Sequence, residues 1–206
     1  LSNLLSVKFE SVMPEVNSVR DALQRDAERL RRMIRRLNFH AQLPSLYAMR
    51  FDQKVAETDS TENAGAFVGE VAGAIADYWK RGKDLEVSVS VDSIQMRDTC
   101  LQVLIEELVE NGAKFSPAGS KIAVKIVPKS VFTSISVCNE NSSLPEEQLK
   151  EIESFKQLWA GRDKPHGLGL GLSLVQGIVR LYGGEIEIQT NAAGQLSVEI
   201  MLPPVE

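Results

Sequence analysis

Glycine stands at positions 167, 169 and 171, leucine at 168, 170 and 172, and the run leads straight into an amphipathic stretch that closes near Tyr182. Alternate glycines let main-chain amides approach a ligand with no Cβ in the way. A helix beginning there aims its free N–H groups at the same spot, which suits phosphate. Close packing of two backbones would also account for such a run. A second set, Glu107, Asn111 and Lys114, is spaced to share one face of a helix. An amide oxygen is a hard ligand for Mg2+, and an ammonium is a point charge for phosphate oxygens. A carboxylate beside them can act as a general base. An exposed helix face with polar pairs four residues apart would show the same spacing. Taken together, the two segments supply ligands for a metal–triphosphate more specifically than either does alone.

His166 immediately precedes the glycine run, and Arg162 and Lys164 lie close by. These three residues suit a lid closing over a γ-phosphate. A solvated, turn-rich loop is the other reading, because Asp163 blunts the positive charge.

The elements that must hold these residues can be read from periodicity. Val16, Val19, Leu23, Ala27, Leu30, Ile34, Leu37 and Ala41 recur every three or four residues and predict one long helix over 15–42. Pro14 suits its start and Pro44 its end. The stripe is narrow and the opposite face strongly charged, so the helix fits a hairpin or bundle. The arginines within 29–36 fit a solvated face. A polar, aperiodic stretch over 52–63 reads as a linker.

Helices are then expected over 64–81, 94–115 and after the glycine run, with a shorter helical piece ending at Trp159. Strands are expected over 85–91, 121–127, 131–137, 185–189 and 196–202. Pro128, Lys129 and Ser130 make a hairpin turn between the second and third of these strands. Strands grouped with helices, but not in strict alternation, predict an α+β fold: a two-layer α/β sandwich in which one mixed sheet carries helices on one face.

The chain has 206 residues, is 43% hydrophobic and 25% charged, and carries a net charge of −5. Acidic residues outnumber basic ones, which argues against nucleic acid as a partner. No apolar run reaches the length of a membrane span, so no membrane contact is expected within this segment. Cys100 and Cys138 are too few for a disulfide framework, and a reducing cytoplasm is the expected setting. The first residue is Leu1, which points to a piece of a longer protein whose parent could be membrane-anchored.

The segment carrying Glu107, Asn111, Gly112, Lys114, Phe115, Pro117 and Gly119 resembles the N box of bacterial sensor histidine kinases. Residues 167–175 resemble their second glycine box. The order of the boxes, the Tyr182-Gly183-Gly184 turn, the closing hairpin and the Leu202-Pro203 ending also fit. The resemblance covers about residues 51–206 and implies the Bergerat-type ATP-binding fold of histidine kinases, gyrase and mismatch-repair ATPases.

By that resemblance Asn111 holds Mg2+, and Lys114 contacts the triphosphate with the run Gly167, Leu168, Gly169, Leu170, Gly171 and Leu172. Phe115 lines the nucleotide pocket. Residues 1–50 resemble part of the dimerisation and phosphoacceptor hairpin, mainly its second helix. Residues 1–13 would be the tail of the first hairpin helix and the turn. The implied partners are ATP, a response-regulator receiver domain and a second copy of the chain.

Two departures qualify the transfer. Where the family has Asp-x-Gly-x-Gly to read adenine, this chain has Asn139, Asn141 and Ser143. Asn139 can accept from the adenine amino group but without charge, and the loss costs about 1–2 kcal/mol of affinity. The only histidines are His40 and His166, and neither suits a phosphoacceptor. Glu10 and Pro14 have histidine-box spacing, with Phe9 where His belongs; the helix over 15–42 leaves no room for a hairpin after them, so the acceptor is expected upstream of Leu1. The leading expectation is the catalytic part of a sensor histidine kinase. The alternatives are an ATPase of the same fold, with Glu107 as base on water, and a degenerate kinase serving as nucleotide-binding or dimeric scaffold.

Overall fold

Helix α1 (Ser2–Phe51) is longer than its periodic stripe. It runs through both Pro14 and Pro44, and residues 1–13, expected to hold a tail and a turn, are helical from Ser2 onward. A proline removes one N–H and crowds the preceding turn, yet the strong helix formers on either side carry the helix past it. Val16, Leu23, Leu30 and Leu37 fall seven residues apart, and they stand 47–65% exposed together with Val19 and Ile34. Apolar residues repeating every seven positions are the pattern of a coiled-coil or bundle seam.

The computed structural model describes residues 2–51, 60–140, 171–190 and 195–203. The chain divides into two units, Leu1–Phe39 and His40–Glu206. In the second unit, helices α2 (Ala64–Tyr78), α3 (Asp98–Lys114) and α4 (Gly171–Leu181) pack on a five-stranded sheet. Its strands are β2 (Leu85–Val89), β4 (Ile122–Pro128), β5 (Thr133–Asn139), β6 (Glu185–Thr190) and β7 (Leu196–Leu202), in the order β2-β4-β5-β7-β6. A separate two-residue ladder joins β1 (Thr61–Glu62) to β3 (Ser93–Ile94).

The sheet is mixed: β2 runs parallel to β4 and every other pair is antiparallel. This is the two-layer arrangement expected from the element order. Period-2 alternation sends Ile122, Val124, Ile126, Ile135, Val137, Val198 and Ile200 toward the helices, all nearly inaccessible. They meet Leu101, Leu104, Ile105, Leu108, Leu174 and Ile178, which are equally buried. Each such side chain contributes about 1.5–3 kcal/mol on burial. The opposite face is polar, with Ser134 donating to Glu199 at 2.5 Å and Cys138 beside Ser197 at 3.0 Å.

Strand β5 begins and ends two residues later than its apolar pattern suggested. The Lys129 amide donates to the Phe132 carbonyl at 2.8 Å, so the turn consumes residues 131 and 132. Asn139 is thereby the last residue of the strand, paired with Ile122 on one side and Leu196 on the other. Near the end of α1, buried Leu43 packs against Gly177 of α4. Among the described residues, no helix is long and apolar enough to cross a membrane.

Candidate functional site

Helix α3 is buried on most of its circumference because α2, α4 and the sheet all pack against it. Its carboxylates are therefore unusual: Glu106, Glu107 and Glu110 are each less than a tenth exposed. Gln102 donates to Glu106 at 2.9 Å. Burying charged groups is costly, so their presence asks for a role.

The Arg97 amide, at the N-terminal end of α3, donates to the Tyr182 hydroxyl just past the C-terminal end of α4 at 3.1 Å. The two helices therefore lie antiparallel. At 1.5 Å per residue, the ten or so residues from Arg97 to Glu107 match those from Tyr182 back to Gly171. Gly171, the first residue of α4, accordingly arrives at Glu107 and Asn111. A Cβ placed on Gly171 would lie 2.5 Å from Glu107 Oε2 and 3.9 Å from Asn111 Nδ2. A side chain at 171 would displace the end of the Glu107 side chain, and the positive end of the α4 dipole meets the carboxylate.

One residue further along α3, a Cβ on Gly112 would lie 3.2 Å from Ile122 Cγ2 and 3.8 Å from Asn139 Cβ. The end of β5 thus comes directly against the helix at the position next to Asn111. Asn139 is 4% exposed, and among the described residues its Nδ2 has no hydrogen-bond partner. Glu107, Asn111 and Gly171 are thereby brought together from two helices, and the end of β5 places Asn139 beside Gly112, the next residue of α3.

Lys114 is differently engaged. Its Nζ lies 2.8 Å from Glu110 Oε1 and 5.6 Å from the centre of the Trp79 ring. Phe115 follows at the helix cap, where its amide donates to the Asn111 carbonyl at 3.0 Å. Arg162, Lys164, His166, Gly167, Leu168, Gly169 and Leu170 lie outside the described residues, as do Asn141 and Ser143. Leu172 is half-buried in the first turn of α4.

Arg81, absent from the sequence-based site, braces this region. It is 4% exposed and donates through Nη1 to the carbonyls of Ala113 at 3.2 Å and Ser116 at 2.9 Å. Through Nη2 it reaches the Ser120 carbonyl at 2.8 Å and the hydroxyls of Ser116 and Ser120 at 3.2 and 3.3 Å. Its Nε pairs with Asp84. The guanidinium thus satisfies carbonyls that the end of α3 leaves open. The Gly119 amide donates to Asp84 at 2.9 Å, and this bond together with Arg81 holds the Asp84 carboxyl below its ordinary range. The only sequence hint was an arginine three residues before an aspartate.

Among the described residues, no three or more of His, Cys, Asp and Glu converge on one point. The Asn111 amide oxygen does fit the mode in which Mg2+ takes one or two protein oxygens along with phosphate and water.

Residues 96–206 match the family described as histidine kinase-, DNA gyrase B-, and HSP90-like ATPase. The sensor protein KdpD of Clostridium acetobutylicum is 30% identical over 142 residues, which cover 66% of this chain and 15% of that protein. The histidine protein kinase DivJ of Caulobacter vibrioides is 29% identical over 104 residues, covering 50% of this chain and 17% of that protein. The chain thus spans a small part of the curated relatives it matches. Among solved structures, the histidine kinase domain of the E. coli osmosensor EnvZ superposes with a TM-score of 0.53 at 25% identity, covering 72% of this chain and 90% of that one. A mycobacterial sensor histidine kinase, MprB, gives a TM-score of 0.56 at 16% identity, covering 70% and 97%, and speaks for the fold.

Proposed function

Because this chain belongs to the family of histidine kinase-, DNA gyrase B- and HSP90-like ATPases, we propose that its second unit binds ATP with Mg2+ where α3, the start of α4 and the end of β5 meet, and passes the γ-phosphoryl group to a histidine. The approach of Gly171 to Glu107 and Asn111 carries this reading. It unites a hard oxygen donor, a carboxylate and a helix N-terminus, the parts that phosphoryl transfer needs for positioning and charge neutralisation.

In this reading the Asn111 side-chain oxygen is the protein ligand for Mg2+, which when bound neutralises charge on the phosphate oxygens. The amides at the start of α4 hold the triphosphate. Lys114 exchanges Glu110 for a phosphate oxygen once nucleotide arrives. The bond between the γ-phosphorus and its bridging oxygen breaks as a bond to the imidazole nitrogen forms, and ADP leaves with the electron pair. The proton on the other imidazole nitrogen, which faces away from phosphorus, goes to solvent; Glu107 serves as general base where water is the nucleophile. The acceptor histidine belongs to a dimerisation hairpin and hands the phosphoryl group to an aspartate of a receiver domain. The exposed seam of α1 pairs with a second copy.

Calorimetric titration with Mg-ATP tests the site: heat is expected for the chain and its loss for Asn111→Ala. Radiolabelled ATP incubated with a histidine-bearing hairpin supplied in trans should yield acid-labile protein phosphate. Release of inorganic phosphate without such labelling would identify a hydrolase instead. No heat at millimolar nucleotide would overturn nucleotide binding altogether.

A further inference from the structure

We propose that Asn139 makes the base pocket a reader of purines in general, accepting guanine nucleotides as well as adenine nucleotides. This inference rests on the nucleotide-binding reading above and adds the specificity of that site. Asn139 lies at the end of β5 on the helix-facing side, 4% exposed, against Gly112 and so next in line to Asn111. Its neighbours across the sheet, Ile122 and Leu196, are apolar and have no side-chain acceptor to offer. The Nδ2 group is buried, and among the described residues it has no hydrogen-bond partner. Buried amides are rarely left so, which points to a ligand that completes it.

The chemistry of the side chain then sets what that ligand can be. A carboxylate only accepts hydrogen bonds; it would favour the adenine amino group and repel the guanine O6. A carboxamide both donates and accepts from adjacent atoms. Adenine presents an amino donor beside the N1 acceptor, whereas guanine presents the O6 acceptor beside an N1–H donor. Turning the amide by half a rotation about its last bond converts a match for one into a match for the other. Asn139 therefore has no means of rejecting guanine that a carboxylate would have.

Calorimetric competition between Mg-ATP and Mg-GTP on the whole chain tests this. The expected result is two affinities within about tenfold of each other, with Asn139→Asp retaining ATP and weakening GTP by roughly tenfold or more, the scale of one paired hydrogen-bond set. Wild-type exclusion of GTP overturns the inference, and so does an ATP-to-GTP ratio unchanged in the variant. If Asn139→Asp does not fold, the wild-type ratio alone decides. ATP binding that Asn111→Ala abolishes keeps the nucleotide reading intact whichever way the ratio falls; absence of ATP binding overturns both.

Discussion

Glu107 and Gly171 approach so closely that the carboxylate fills the room a side chain at 171 would need, with Oε2 only 2.5 Å from the place of a Cβ. Glu107 is 2% exposed, so it has little space into which to withdraw. The first turn of α4 and the polar face of α3 are thereby set in register with each other.

Gly171→Ala is expected to push the Glu107 carboxylate aside and spoil that register. Overpacking of this kind costs about 1–3 kcal/mol of stability. Mg-ATP affinity, followed by calorimetry, should fall by about tenfold or more, equivalent to about 1.4 kcal/mol. An unchanged affinity would remove Gly171 from the nucleotide site.

Lys114 is tied to Glu110 across 2.8 Å and rests over Trp79. If the ammonium must leave Glu110 to reach phosphate, Glu110→Gln should release it sooner. ATP affinity should rise about two- to fivefold, in keeping with a partly exposed pair worth up to about 1 kcal/mol. Lys114→Ala should weaken ATP binding in the wild-type and Glu110→Gln backgrounds alike. A double-mutant cycle measures the coupling.

Arg81→Ala should lower unfolding free energy by about 2–4 kcal/mol in a denaturant titration, because it strands buried carbonyls at Ala113, Ser116 and Ser120. Arg81→Lys should recover only a fraction, since an ammonium cannot span those acceptors with a planar fork.

Acid should loosen the same brace. The Asp84 carboxyl is held below its ordinary value of 3.8 by the Gly119 amide and by Arg81. A group depressed in the folded state stabilises above its unfolded value, and that contribution is lost as pH falls through the lowered one. The loss should therefore set in below about pH 4, where the unfolded chain binds the proton first. Thermal melting of Asp84→Asn across pH 2–7 should show a shallower acid limb than the wild type.

Much of this arrangement was legible in the residues themselves. The spacing of Glu107 and Asn111 on a helix and the glycine at 171 predicted partners that the structure brings together. Four features were not legible, each for a physical reason. Pro14 and Pro44 read as helix boundaries, yet each removes a single hydrogen bond from a helix fifty residues long. The alternation of β5 cannot show where its turn ends: Val131 fits the strand pattern but is 68% exposed. Asn139 looked like a residue beyond the strand because it is polar, although it pairs with neighbours on both sides. Beyond its spacing to Asp84, Arg81 gave no sign of its role, because its other partners include main-chain carbonyls 32 to 39 residues away, and carbonyls leave no mark in a sequence.

The position of β7 between β5 and β6 has a consequence for how the protein is made. As the chain leaves the ribosome, β5 finds β4 early but waits through all the intervening residues for its other neighbour. Until 196–202 emerge, Asn139 lies along a bare margin able to recruit any extended segment nearby. The candidate base pocket is thus among the last parts of the molecule to be walled in during synthesis.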